Sequence, residues 1–158
     1  MRLRIVAVGR LKKGPERELV ERYAERLRGA RMAGVTGFDV AELPESRAGD
    51  APTRKREEGR AILDRLSDGG LVVALDETGR TPDSAAFAAL VRDARDMGRD
   101  VTLVIGGPDG LDGAVRDRAD TVLAFGRLTL PHQIVRALAA EQLYRAITIL
   151  AGHPYHRT

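Results

Sequence analysis

The sequence predicts an α/β fold, a parallel sheet flanked by helices on both faces. Three observations carry this. Short apolar runs alternate five times with longer amphipathic stretches, the pattern of repeated strand and crossover-helix units. The run Val101-Thr-Leu-Val-Ile105 is apolar and β-branched almost throughout, as a strand covered on both faces must be. It opens into Gly106-Gly-Pro-Asp-Gly110, and open parallel sheets bind ligands at such carboxyl strand ends. With no internal repeat, low-complexity tract or interdomain linker, residues 1–158 are expected to form a single domain.

Strands are expected at residues 3–8, 35–43, 71–75, 101–105 and 121–124, and helices at about 15–27, 53–66, 84–97, 112–120 and 132–150. The turn before the first helix, Lys12-Lys13-Gly14, is either solvated or a phosphate contact. Between the second strand and second helix, Ser46 to Arg56 combines Gly, Pro and small polar residues with Arg54, Lys55 and Arg56. Those three bases read as RNA-binding by phosphate contact; the alternative is a solvated helix start, since Glu57 and Glu58 follow.

After the fourth strand, Gly106 and Gly107 let backbone approach a ligand without an intervening Cβ. The loop matches neither nucleotide fingerprint: there is no G-x-x-x-x-G-K-[ST], and Pro108 occupies the second glycine of a G-x-G-x-x-G. Read alone it could be a tight turn. After the fifth strand comes Gly126-Arg-Leu-Thr-Leu-Pro-His132, with Pro131 at or next to the first turn of the last helix. Leu128 and Leu130 make this loop too apolar for a solvated connection, so it is expected to pack, either in the core or against the adenine-sized part of a cofactor.

From Ile134 to Leu150 the last helix is apolar on nearly every side, with Arg136, Glu141, Gln142, Arg145 and Thr148 as exceptions and Glu141 and Arg145 spaced as a helical ion pair. Such a helix is buried, and a second subunit is the economical cover; Tyr144 within it reads as interface core. The terminus His153-Pro-Tyr-His-Arg-Thr158 is too polar and specific in residue type for a frayed end, although it could dock only as structure.

Composition is that of an ordinary globular chain, with 43% hydrophobic and 31% charged residues in 158. The net charge of +3 permits an anionic partner. Zero cysteines exclude a disulfide, a thiol nucleophile and a cysteine metal site. His153 and His156 have no carboxylate or third ligand nearby in sequence, so no metal is expected. The amino end reads as a strand and no apolar run approaches the ~20 residues of a membrane span, which makes the expected location cytoplasmic, with no membrane partner.

Leu75-Asp76, Ile105-Gly-Gly-Pro-Asp-Gly110, Leu128-Thr-Leu-Pro-His132, Arg136, Glu141-Gln-Leu-Tyr-Arg145 and Pro154-Tyr-His-Arg157 together resemble the small bacterial SPOUT-class methyltransferases. More narrowly, the chain resembles along its whole length the family that methylates N3 of a pseudouridine in helix 69 of 23S ribosomal RNA, a ribosomal stem-loop. The resemblance implies a C-terminal trefoil knot, which spacing and periodicity do not reveal, and a homodimer through the last helix. It implies S-adenosyl-L-methionine bound by Leu75, Gly106, Gly107 and the loop Gly126, Arg127, Leu128, Thr129, Leu130, Pro131, with Arg127 contributing backbone.

For the chemistry, His132, Tyr155 and His156 are the candidates to deprotonate or orient the base. Arg136 and Arg157 suit phosphate or negative charge developing on the base carbonyls. His132 could instead be a helix-terminus histidine bonded to backbone. Two rival functions are a Rossmann-type methyltransferase, with Glu42 as its ribose-binding acid, and a non-enzymatic RNA-binding ribosome-assembly module using Arg54, Lys55 and Arg56.

Overall fold

A computed structural model describes residues 1–156. In chain order the elements are β1 (Arg2–Val8), α1 (Pro15–Gly29), β2 (Gly37–Leu43), α2 (Ala51–Leu63), β3 (Leu71–Arg80), α3 (Ser84–Asp96), β4 (Val101–Ile105), α4 (Gly113–Arg118), β5 (Thr121–Leu123) and α5 (His132–Leu150). The strands form one sheet in the order β2-β1-β4-β3-β5, every neighbour parallel.

Alternation along β1 explains the two layers. Leu3, Ile5 and Ala7 face the core beneath α1, α3 and α5, while Val6 and Val8 face α2 and α4. The central strand β4 has all five residues buried, which is why it reads as a continuous apolar run. Helix starts are fixed locally: the Asp50 carboxylate accepts from Thr53 N–H at 2.8 Å and Asp83 from Ala86 N–H at 2.7 Å. The Asp50 cap begins α2 at Ala51, two residues before the sequence expectation.

Strand β3 runs five residues beyond its expected end. Its polar half, Asp76 to Arg80, rejoins β5 after a register shift that pairs both Leu75 and Arg80 with Leu123. A Cβ at Gly79 would lie 2.5 Å from the Leu123 carbonyl carbon, so only glycine permits this approach.

Helix α5 lies over the sheet between α1 and α3, with Ala139, Ala140, Leu143 and Ile147 buried. Its own chain therefore covers most of a helix that is apolar on every side, and that pattern does not by itself require a second subunit. Among the described residues no helix is long and apolar enough to cross a membrane.

Candidate active site

The carboxyl ends of β3, β4 and β5 open into a cavity of about 640 Å³, within the range of small-molecule sites. Its wall gathers Leu75, Gly106, Gly107, Gly126, Leu128, Thr129, Leu130, Pro131 and His132 from segments far apart in sequence. Arg127 of the same loop is not among the lining residues. Leu128 is 80% exposed, so the loop is not packed along its whole length as its apolar character suggests; this leucine stands at the cavity rim.

The 106–110 turn is closed on itself: Gly110 N–H donates to Gly107 C=O at 3.0 Å, and Gly110 takes a φ of +87°. A Cβ at Gly106 would sit 2.7 Å from the Gly110 carbonyl carbon. At Gly107 it would sit 3.0 Å from Oε2 of Glu58 and 3.1 Å from Cγ1 of Val8. The missing side chain at 107 thus leaves room for α2 and β1 behind the turn, which corrects the expectation that it leaves room for ligand.

Ion pairs hold the rim. Arg54 on α2 grips the Asp109 carboxylate with two donors, Nε at 2.7 Å and Nη2 at 3.1 Å, and donates from Nη1 to Ala48 C=O at 3.0 Å. Arg54 is therefore committed to the 106–110 turn. Of the other two expected RNA contacts, Lys55 lines the cavity and the exposed Arg56 donates to Thr53 Oγ1 at 2.9 Å. Across the cavity, Thr129 Oγ1 donates to Glu77 at 2.9 Å, tying the 126–131 loop to β3. Burial opposes ionisation of Asp76, but hydrogen bonds from the Thr78 hydroxyl and backbone, with Arg116 nearby, outweigh it and hold this carboxyl below its ordinary range.

His132 begins α5 and faces the cavity; no hydrogen bond joins its ring to backbone among the described residues. Its Nε2 and the Glu45 carboxylate both approach the α-carbon side of Gly9, at 3.6 and 2.9 Å from where a Cβ would stand. Burial, then the Arg136 charge, pull the imidazole below its ordinary range against the opposing pull of Glu45, so the ring is neutral at pH 7 and has a nitrogen free to accept.

Arg136 has a different task from the phosphate or carbonyl contact that its chemistry suggests. It is 1% exposed and does not line the cavity. Nη1 donates to Glu42 at 2.7 Å, while Nη2 donates to Val8 C=O at 3.0 Å and Gly9 C=O at 2.9 Å, fastening α5 to the end of β1. The same Glu42 oxygen also accepts from Leu11 N–H at 2.7 Å, and Glu42 does not line the cavity, so it is not placed to hold the ribose of a cofactor bound there.

Neither Tyr155 nor His156 lines this cavity in its own chain. Tyr155 packs edge-on against Tyr144, 4.8 Å between ring centres; its hydroxyl lies 3.0 Å from that of Tyr23 and donates to Glu141 at 3.1 Å. Burial, the Tyr23 bond and the Glu141 charge push the phenol well above its ordinary range, so Tyr155 is a donor and not a base at neutral pH. His156 Nδ1 is buried without a partner; Arg157 lies outside the described residues. Among the described residues no group of three His, Cys, Asp or Glu could hold a metal ion.

Sequence reasoning missed Glu58 and the Arg54–Asp109 pair. The four-residue spacing of Arg54 and Glu58 on one helix face was the available signal; the burial of Glu58 was not visible in a run of charges.

A parallel sheet with helices on both faces and a loop-walled cavity at its carboxyl edge defines an α/β protein with a ligand site at the strand ends. The chain belongs to the SPOUT methyltransferase family: the model described as "Predicted SPOUT methyltransferase" matches residues 1–156. Two similar curated proteins carry the name "Ribosomal RNA large subunit methyltransferase H". That of Allorhizobium ampelinum is 59% identical over 160 residues, covering all of both chains. That of Agrobacterium fabrum is 57% identical over 161 residues, covering 99% of each. In fold the chain is similar to a crystal structure titled as a probable methyltransferase from Bordetella pertussis, with a TM-score of 0.55 and 18% identity, covering 92% of this chain and 95% of that one.

Proposed function

We propose that this chain is an S-adenosyl-L-methionine-dependent methyltransferase acting on N3 of a pseudouridine in helix 69 of 23S ribosomal RNA, in the cytoplasm and as a homodimer. The observation that carries the reading is the cavity itself, whose two glycine- and leucine-bearing loops bring the expected cofactor residues other than Arg127 within one wall together with His132. The names of the two curated relatives support ribosomal RNA as the substrate class. Family membership supports a trefoil knot threading the C-terminal segment through these loops.

The fit to the cofactor rests on the cavity's chemistry. Leu75, Ile105, Leu130 and Val135 give apolar surface for an adenine ring, and Gly106, Gly107, Gly110 and Gly126 bring backbone without side chains to the cavity wall. Leu128, exposed at the rim, gains cover from a bound ligand or a docked RNA. When bound, S-adenosylmethionine supplies a methyl group already activated by its sulfonium. The chain's residues then bind, orient and move a proton. His132, neutral and cavity-facing, accepts the N3 proton of the weakly acidic imide; Tyr155, kept protonated and outside the cavity of its own chain, donates to the base from the second subunit of the homodimer. Lys55 at the mouth takes a phosphate of the incoming strand.

A methyl-transfer assay tests this reading on ribosomes whose helix 69 contains or lacks pseudouridine, with nucleosides identified by mass spectrometry. Methylation at N3 only when pseudouridine is present is expected; no S-adenosylmethionine binding by calorimetry would leave the RNA-binding ribosome-assembly role instead.

The basic cluster separates into two effects. Lys55→Ala and Arg56→Ala should weaken ribosome binding and flatten its salt dependence by about one unit of slope per lost phosphate contact, with cofactor affinity unchanged. Arg54→Ala should weaken cofactor binding as well, because it frees Asp109. Identical cofactor affinities in all three variants would show that the Arg54–Asp109 pair does not support the cavity.

A further inference from the structure

Helix α2 presses one face against the back of the 106–112 segment. Arg54 holds Asp109, and a Cβ at Gly59 would stand 2.8 Å from Cβ of Asp112, so helix and loop are in direct contact. Between them, one helical turn after Arg54, lies Glu58, 5% exposed. Its Oε1 accepts from Ser46 N–H at 2.9 Å. Its Oε2 is buried beside Gly107 and receives no hydrogen bond.

We propose that Glu58 is a positioning residue of this site: from behind Gly107 its carboxyl group bridges Ser46 and the 106–110 turn and so fixes the wall against which the cofactor binds. This rests on the reading of the cavity as a cofactor site. A carboxylate with one oxygen buried and unpaired is costly, whereas the neutral acid turns that oxygen into a donor. The surroundings favour the neutral form: burial acts most strongly, Asp109 and Glu45 add negative charge, and the Ser46 bond and Arg54 oppose them without prevailing. In the neutral acid the proton sits on Oε2, the oxygen that lies beside Gly107. Glu58 touches neither cofactor nor RNA; it acts through Gly107.

Hydrogen exchange of the 106–111 amides in the free protein, and calorimetry with S-adenosylhomocysteine, test this on Glu58→Gln and Glu58→Ala. Losing a buried hydrogen bond of this kind should speed exchange at the turn, and weaken ligand binding, by about tenfold in Glu58→Ala. Glu58→Gln, which keeps one acceptor and supplies a donor at the other position, should restore both to within about threefold of wild type. The infrared band of the protonated Glu58 carboxyl, identified by its absence in Glu58→Gln, should persist in wild type to a higher pH than that of an ordinary carboxyl, since burial raises this group. Glu58→Gln as impaired as Glu58→Ala would mean that an ionised carboxylate is needed, and wild-type exchange in Glu58→Ala would mean that Glu58 only fills space; either overturns the proposal. Should the wild-type protein bind no S-adenosylhomocysteine, the cofactor reading fails, while the exchange comparison still decides whether Glu58 positions the turn.

Discussion

Gly107→Val is expected to lower S-adenosylmethionine affinity by at least tenfold, and methyl transfer with it, while the fold persists. The new Cβ meets Glu58 Oε2 at 3.0 Å and Val8 Cγ1 at 3.1 Å, and the two further methyls of valine need more room still. Neither neighbour can give way, since Val8 lies at 0% exposure on β1 and Glu58 is held by Ser46. The turn itself moves instead. Overpacking of this kind costs roughly 1–3 kcal/mol, and displacement of the cavity wall turns that cost into a loss of about tenfold to a hundredfold in binding. Gly49→Val is the control: no atom lies within 4 Å of its Cβ position, and both affinity and melting temperature should stay near wild type. Calorimetry on the two variants checks the expectation. Wild-type affinity in Gly107→Val would remove the 106–110 turn from the cofactor site.

The legible parts of this protein were those governed by local pattern. Strands β1 and β4 were readable to within a residue because burial on both faces leaves an apolar run over 101–105 in β4 and over 5–8 in β1, after Arg2 and Arg4. The two loops were readable as one site because each follows such a strand with residue types that expose backbone. Features set by distant partners were not legible. Asp76 to Arg80 looks like a polar loop, and only Gly79 against Leu123 makes it strand. Arg136 in an apolar helix has the chemistry of a phosphate ligand, yet its partners Val8 and Gly9 lie 128 and 127 residues earlier. The apolar girth of α5 suggested a second subunit, although α1, α3 and the sheet account for most of it.

Mixing a Gly107→Val chain with a chain truncated after Ala151 should yield active heterodimers from two inactive parents. The reason lies in where the tail goes. In its own subunit Tyr155 is tied to Tyr23, Tyr144 and Glu141 on the α1–α5 side, and none of residues 153–156 lines the cavity. Residues 153–156, the described part of the tail, can then serve chemistry only by reaching a cavity other than their own, which a homodimer through this side would provide. In the proposed arrangement Tyr155, His156 and Arg157 of one subunit work with Gly107, the 126–131 loop and His132 of the other. The heterodimer holds one site with an intact turn and an intact tail, and one site lacking both. Activity approaching half of wild type per heterodimer is therefore expected, with assembly verified by native mass spectrometry and methyl transfer followed on ribosomes. If the tail served its own subunit, each site in the mixture would carry one defect, and the heterodimer would be as inactive as its parents. Loss of the Tyr155 contacts also weakens the α1–α5 side, so the truncated chain should melt a few degrees lower, on the order of 1 kcal/mol for a displaced aromatic pair. That shift appears in the parent homodimer as well and leaves the recovery of activity as the discriminating measurement.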